Sequence, residues 1–152
     1  MKIKWIIIVG ACLVLLFFLM RNANYSSKKA IKNGDVVLTH SEDYNLDTFF
    51  DFLEKERQKI RIVLYTDEGD SIITDLSRRE DDSISFRLDN SKDKFSKRDI
   101  QKGVCSNITQ DSVSSGVAYY LNSCSGANTD KIFLFRLEHE SIRSNLSIKS
   151  ML

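Results

Sequence analysis

Apolar residues are distributed along this chain in two different ways. Residues 5–20 form one unbroken hydrophobic run between Lys4 and Arg21, with neither charge nor proline. From residue 33 onward, apolar positions come instead in short periodic groups separated by polar turns. The run predicts a transmembrane helix, since a helix hides its backbone polar groups in lipid. At 1.5 Å per residue it rises about 24 Å against a hydrocarbon core of roughly 30 Å, and Lys4 and Arg21 extend it by snorkelling.

Downstream, Asp35-Val-Val-Leu38 predicts a short edge strand. The segment 45–57 predicts a helix, because Leu46, Phe49, Phe50 and Leu53 recur at i, i+3, i+4 and i+7. Asn45 suits the N-cap, and Phe52 falls at the margin of the stripe. Residues 60–66, 71–76 and 83–88 are short, β-branched or alternating, and divided by the turns 67–70 and 77–82, which predicts an antiparallel meander. Residues 94–102 suggest a polar helical stretch, and 117–123 and 131–137 two further strands. The fold class that follows is α+β: one amphipathic helix packed on an antiparallel sheet of about five strands, preceded by the transmembrane helix. The expected organisation is an anchor at 1–21, a flexible tether at 22–32, the domain at 33–138 and a flexible tail at 139–152.

The fate of the first segment has three readings. A cleaved signal peptide fits Lys2 and Lys4, but no small-x-small site follows the run. Lipidation at Cys12 fits the small residues before it, yet leaves the strongly apolar 13–20 in the mature chain. An uncleaved signal anchor accounts for the whole run and is the reading adopted. Counting bases (Lys2 and Lys4 against Arg21, Lys28, Lys29 and Lys32) would keep the domain inside the cell.

Composition narrows the function. The formal charge is +1, and setting aside Lys2, Lys4 and Arg21 leaves −2. No basic excess marks a nucleic-acid surface, so no nucleic-acid partner is expected. Outside the apolar run the cysteines are Cys105 and Cys124. They form a disulfide if the domain is exported, or are two buried thiols if it is not.

Three groups stand out between residues 33 and 70: Asn33-Gly-Asp-Val-Val with His40, Asn45-Leu-Asp with Phe49, Phe52 and Leu53, and Lys59-Ile-Arg-Ile-Val-Leu-Tyr-Thr-Asp-Glu-Gly-Asp70. Ile72, Asp75, Leu76, Asp89-Asn-Ser-Lys-Asp93, Phe95, Cys105 and Tyr120-Leu-Asn-Ser-Cys124 complete the set. On these residues the stretch 33–137 resembles a bacterial family known as domain of unknown function 4362. The resemblance implies an exported protein or lipoprotein of Gram-positive bacteria, and with it the Cys105–Cys124 pair and an outward-facing domain. It implies no activity.

For chemistry, Asp67, Glu68, Asp70 and Asp75 crowd one hairpin, and Asp89 and Asp93 flank the end of a neighbouring strand. Such carboxylates serve a hard cation or an acid/base pair if they converge, and are solvated turns if they do not. His40 stands among Ser41, Glu42 and Asp43, but sequence neighbours cannot form a triad. No nucleotide, metalloprotease or dithiol motif is present. The expectation is a membrane-tethered, extracytoplasmic, non-catalytic recognition module, without cofactor or bound metal. Its partner would be an envelope protein or component, met through a sheet edge or the hairpin 67–75. The alternative is a small carboxylate- or metal-dependent hydrolase.

Overall fold

The computed structural model describes residues 25–138. Two short helices, α1 (Ser27–Lys32) and α2 (Leu46–Leu53), accompany eight strands. These are β1 (Val36–Leu38), β2 (Asp43–Tyr44), β3 (Lys59–Tyr65), β4 (Ser71–Arg78), β5 (Ile84–Asp89), β6 (Ile100–Val113), β7 (Gly116–Ser125) and β8 (Lys131–Glu138). They form one mixed sheet in the order β2-β1-β3-β4-β5-β6-β7-β8. The fold expected from sequence, one helix on about five antiparallel strands, is therefore wrong in strand number, in sheet type and in helix content. The transmembrane segment falls on residues 1–21, outside those described. Among the described residues no helix is long and apolar enough to cross a membrane.

Each departure has a local cause. β1 lies inside the sheet, parallel to β3 through Val36↔Ile62 and Leu38↔Leu64 and antiparallel to β2. Its Val36, Val37 and Leu38 are all buried, as expected of a strand covered on both faces. Val37 and Val63 pack with Ala30 of α1 on the outer face, so residues 27–32 are folded against the sheet rather than forming a flexible tether. Val36, Leu38, Ile60 and Ile62 face the inner core with α2.

The second helix stops at Leu53, not Arg57, because Lys55 takes a left-handed φ of 67°. Asn45 gives no side-chain cap; its amide donates to the carbonyls of Asp35 (2.8 Å) and Ile31 (3.1 Å), joining α1 to α2. Phe52 is fully buried beside Phe49, while Phe50 and Leu53 are only partly covered.

The meander β3–β4–β5 is antiparallel throughout. Residues 94–102 are not helical: a loop leads into β6 at Ile100. β6 pairs with β5 through its first residues, from Asp89↔Ile100 to Ile84↔Cys105. It then pairs with β7 from Val104↔Ser125 to Val113↔Gly116. Passing from one partner to the other, the sheet curls into a half-barrel around α2. Phe49 meets Tyr119 at 4.9 Å and Phe135 at 4.7 Å, both edge-on, so strands from opposite ends of the sheet share one core. A register shift between Tyr119 and Tyr120 leaves Leu134 as the extra residue of β8. Phe133 and Phe135, which strict alternation along a strand would put on one face, are thereby separated: Phe135 is 1% exposed and Phe133 52%.

Cys105 and Cys124 are directly opposed across β6 and β7 and joined by a disulfide.

Candidate functional site

The carboxylates singled out in the sequence do not converge. Asp67, on the turn after β3, faces His40 at 3.5 Å, but both side chains are more than four-fifths exposed. Such a pair contributes little. Glu68 is exposed in the same turn. Asp70 is only 1% exposed and lies 3.2 Å from the Lys94 ammonium, and it also accepts the Lys94 backbone N–H. Asp93 is buried and accepts the Phe95 N–H at 2.9 Å, closing the turn that follows β5. Asp70 thus holds the 91–95 loop to the sheet, and Asp93 braces the loop from within. Among the described residues no group of three or more His, Cys, Asp or Glu side chains is arranged to hold a metal ion. Cys12 lies outside the described residues.

Asp75 and Asp89 belong to a different surface. In successive strands Arg61, Asp75, Arg87 and Lys102 are register partners, so they form one row across the outer face of β3–β6. Arg61 grips Asp75 with Nε at 2.6 Å and a second guanidinium nitrogen at 3.1 Å. The bond to Asp75 raises the Arg61 pKa beyond its ordinary value despite partial burial. Burial disfavours an ionised Asp89, but the Ser91 hydroxyl and N–H and the Arg87 guanidinium at 2.8 Å outweigh it and hold its carboxyl below the usual range. Lys59 lies two residues before Arg61 and shares its face.

The row continues onto α1. The Tyr25 ring lies between Lys29 (5.8 Å) and Arg61 (5.9 Å). Tyr25 is itself fixed: its hydroxyl donates to Asp35 at 2.7 Å and accepts from Asn33 at 2.6 Å, and its carbonyl accepts the Tyr65 hydroxyl at 2.5 Å. Burial, with the negative field of Tyr25 and Asp35, pushes the Tyr65 phenol up to about 12.

Where β3 begins before β1 has started, this surface opens into a cleft of about 530 Å³. Arg57, Lys59, Arg61 and Arg87 line it, with Asp35 and Asp75 as its carboxylates. Neither Arg57 nor Lys59 has a carboxylate partner among the described residues. A smaller apolar hollow of about 200 Å³, lined by Ile62, Leu64, Ile72 and Leu88, opens on the inner face and includes Asp93. Neither space brings together two of Asp67, Asp70, Asp75, Asp89, Asp93 and His40.

The sequence matches the family described as domain of unknown function 4362 over residues 33–120. The chain belongs to that family. No curated protein and no solved structure matches it. The span matched to domain of unknown function 4362 runs from the loop before β1 into the middle of β7. It contains Arg61, Asp75, Arg87, Lys102 and the whole lining of the cleft, and it ends before Cys124 and β8. Sequence reasoning weighed the acidic residues and missed the cations opposite them. The available signal was the alternation itself, which sets Lys59 and Arg61 on the face away from Ile60 and Ile62.

Proposed function

We propose that this domain is a non-catalytic recognition module, tethered outside the cell membrane by its first segment, and that it recognises an anionic component of the envelope. The lining of the large cleft carries the reading: four cations meet two carboxylates there, and Asp75 is already engaged by Arg61. Guanidinium groups on a rigid sheet suit carboxylate or phosphate oxygens, because their donors stand in a fixed fork. Strands β3 and β5 hold Lys59, Arg61 and Arg87 without a flexible loop, which favours recognition over induced fit.

A hydrolase would need two carboxylates a few ångströms apart across a substrate space, or a metal held by several. The scattered placement of the acidic groups gives that alternative no support. Of the acidic hairpin, Asp70 and Asp75 serve neighbouring strands and loops, which leaves Asp67 and Glu68 at its tip.

The test is calorimetry of the full-length chain, in a zwitterionic detergent, with inorganic tripolyphosphate as probe. Binding should weaken as salt rises and vanish in an Arg57→Gln/Lys59→Gln double variant. Indistinguishable heats from the two proteins would sink the reading.

A further inference from the structure

We infer that the outer face of β3–β6, together with α1, docks on the anionic headgroups of the bilayer that holds the first segment. The inference rests on the reading above, that this face recognises anions and that residues 5–20 lie in the membrane, and it names the anion. The first support is where the chain meets the fold. Tyr25 is pinned to the outer face by Asp35, Asn33 and Tyr65. The apolar run ends at Met20. Five extended steps span about 17 Å at most, whereas a domain of this size is roughly 34 Å across. A leash half as long as the domain is wide keeps the attached face toward the membrane.

The second support is the charge on that face. Although the chain beyond Arg21 carries a net −2, Lys29, Lys59, Arg61, Arg87 and Lys102 share this side with Asp35 and Asp75. Asp89, bonded to Arg87, lies beside them. Lys28 and Lys32 are exposed on α1 as well. The acidic tip, Asp67 and Glu68, belongs to the turn beyond Tyr65, away from the Lys59 end of β3. Within a Debye length of about 8 Å, each basic residue at an anionic surface multiplies the docked population about fivefold. Phosphodiester oxygens then accept from the guanidinium and ammonium donors that line the cleft. Docking in this pose turns the inner hollow and the 131–138 edge away from the lipid.

The experiment is lysine acetylation of the full-length chain in nanodiscs, read residue by residue by mass spectrometry. Discs of phosphatidylcholine alone are compared with discs containing phosphatidylglycerol, and with phosphatidylcholine discs plus soluble tripolyphosphate. The expected result is at least about fivefold slower labelling of Lys29, Lys59 and Lys102 on the anionic discs, reversed by high salt. Lys94 and Lys131, which pair with Asp70 and Asp111, should label alike on all discs. A Lys28→Gln/Lys29→Gln/Lys32→Gln variant should lose most of the protection at Lys59 and Lys102. Protection by tripolyphosphate but not by phosphatidylglycerol would overturn the lipid assignment and leave anion recognition standing. Protection by neither would overturn both.

Discussion

Replacing Gly103 by alanine should damage this fold more than any other single methyl addition at its described glycines except Gly116. Gly103 sits where β6 passes from β5 to β7, opposite Phe86. A Cβ there would lie 2.0 Å from the Ser125 carbonyl oxygen and 2.8 Å from a Phe86 ring carbon. Ordinary contact needs more than about 3 Å, so something must retreat by roughly 1 Å. The Phe86 ring can tilt. The Ser125 carbonyl cannot, because its strand is joined to β6 by Val104↔Ser125 pairing and by the adjacent Cys105–Cys124 bond. The cost should reach about 3 kcal/mol, the upper part of the range for overpacking. For a domain between the usual size classes that is a fall in melting temperature of about 12 °C. Gly34→Ala is the control: it has open space around it and only its φ of 78° to strain it, worth about 1 kcal/mol. Thermal melts of the full-length chain in micelles, followed by circular dichroism, give the comparison. A Gly103→Ala variant melting within about 2 °C of the parent, or no lower than Gly34→Ala, would refute the close approach of β6 and β7 described above.

Three further outcomes follow from the same structure. The Cys105→Ala/Cys124→Ala variant should lose about 3 kcal/mol in urea unfolding, the loop-closure contribution for a bridge of this span; a parent protein equally sensitive under reductant and a variant indifferent to it would complete the case. In alkali, Tyr65 should titrate near 12 by absorbance. Because its folded value is raised, its contribution is present below about pH 10 and is lost as pH climbs toward 12; Tyr65→Phe should flatten stability over that interval. Asp89 has the opposite sign: its lowered folded value means a contribution intact above about pH 4 that drains as pH falls further. Asp89→Asn should lose stability less steeply below pH 4 than the parent, and identical acid limbs would count against the Arg87 and Ser91 bonds.

The meander β3–β5 was legible because inward residues alternate cleanly and Gly69 marks a turn. β6 was not, because much of its length is polar and lies exposed in the hairpin with β7, so burial imposes no hydrophobic period on Ser106, Asn107, Thr109, Gln110 and Asp111. β1 looked like an edge because three apolar residues cannot say whether one face or both are covered. The bulge at Leu134 left no mark in the sequence, and it alone decides that Phe133 is exposed and Phe135 buried. At the candidate site the residue types were visible but not their partners. Arg61, Asp75 and Arg87 lie far apart in sequence, and only strand register reveals them as one row. The acidic residues drew attention by crowding, whereas the cations that line the cleft are spread over β3, β5 and the loop just before β3.

The place of β1 sets an order of assembly. From β3 to β8 every neighbouring pair is consecutive in sequence and antiparallel, so each can close as a local hairpin. β1 cannot: its parallel partner β3 lies beyond β2 and α2, and that whole crossover must be in position before Val36 meets Ile62. During synthesis β1, made before the other described strands, is thus the last of them to find its place, with Val36, Val37 and Leu38 uncovered until then. Conversely, if α1, β1 and β2 detach as a unit, the rest of the sheet keeps all its hairpins and offers β3 as a bare edge. The amino-terminal end of this domain is its latch.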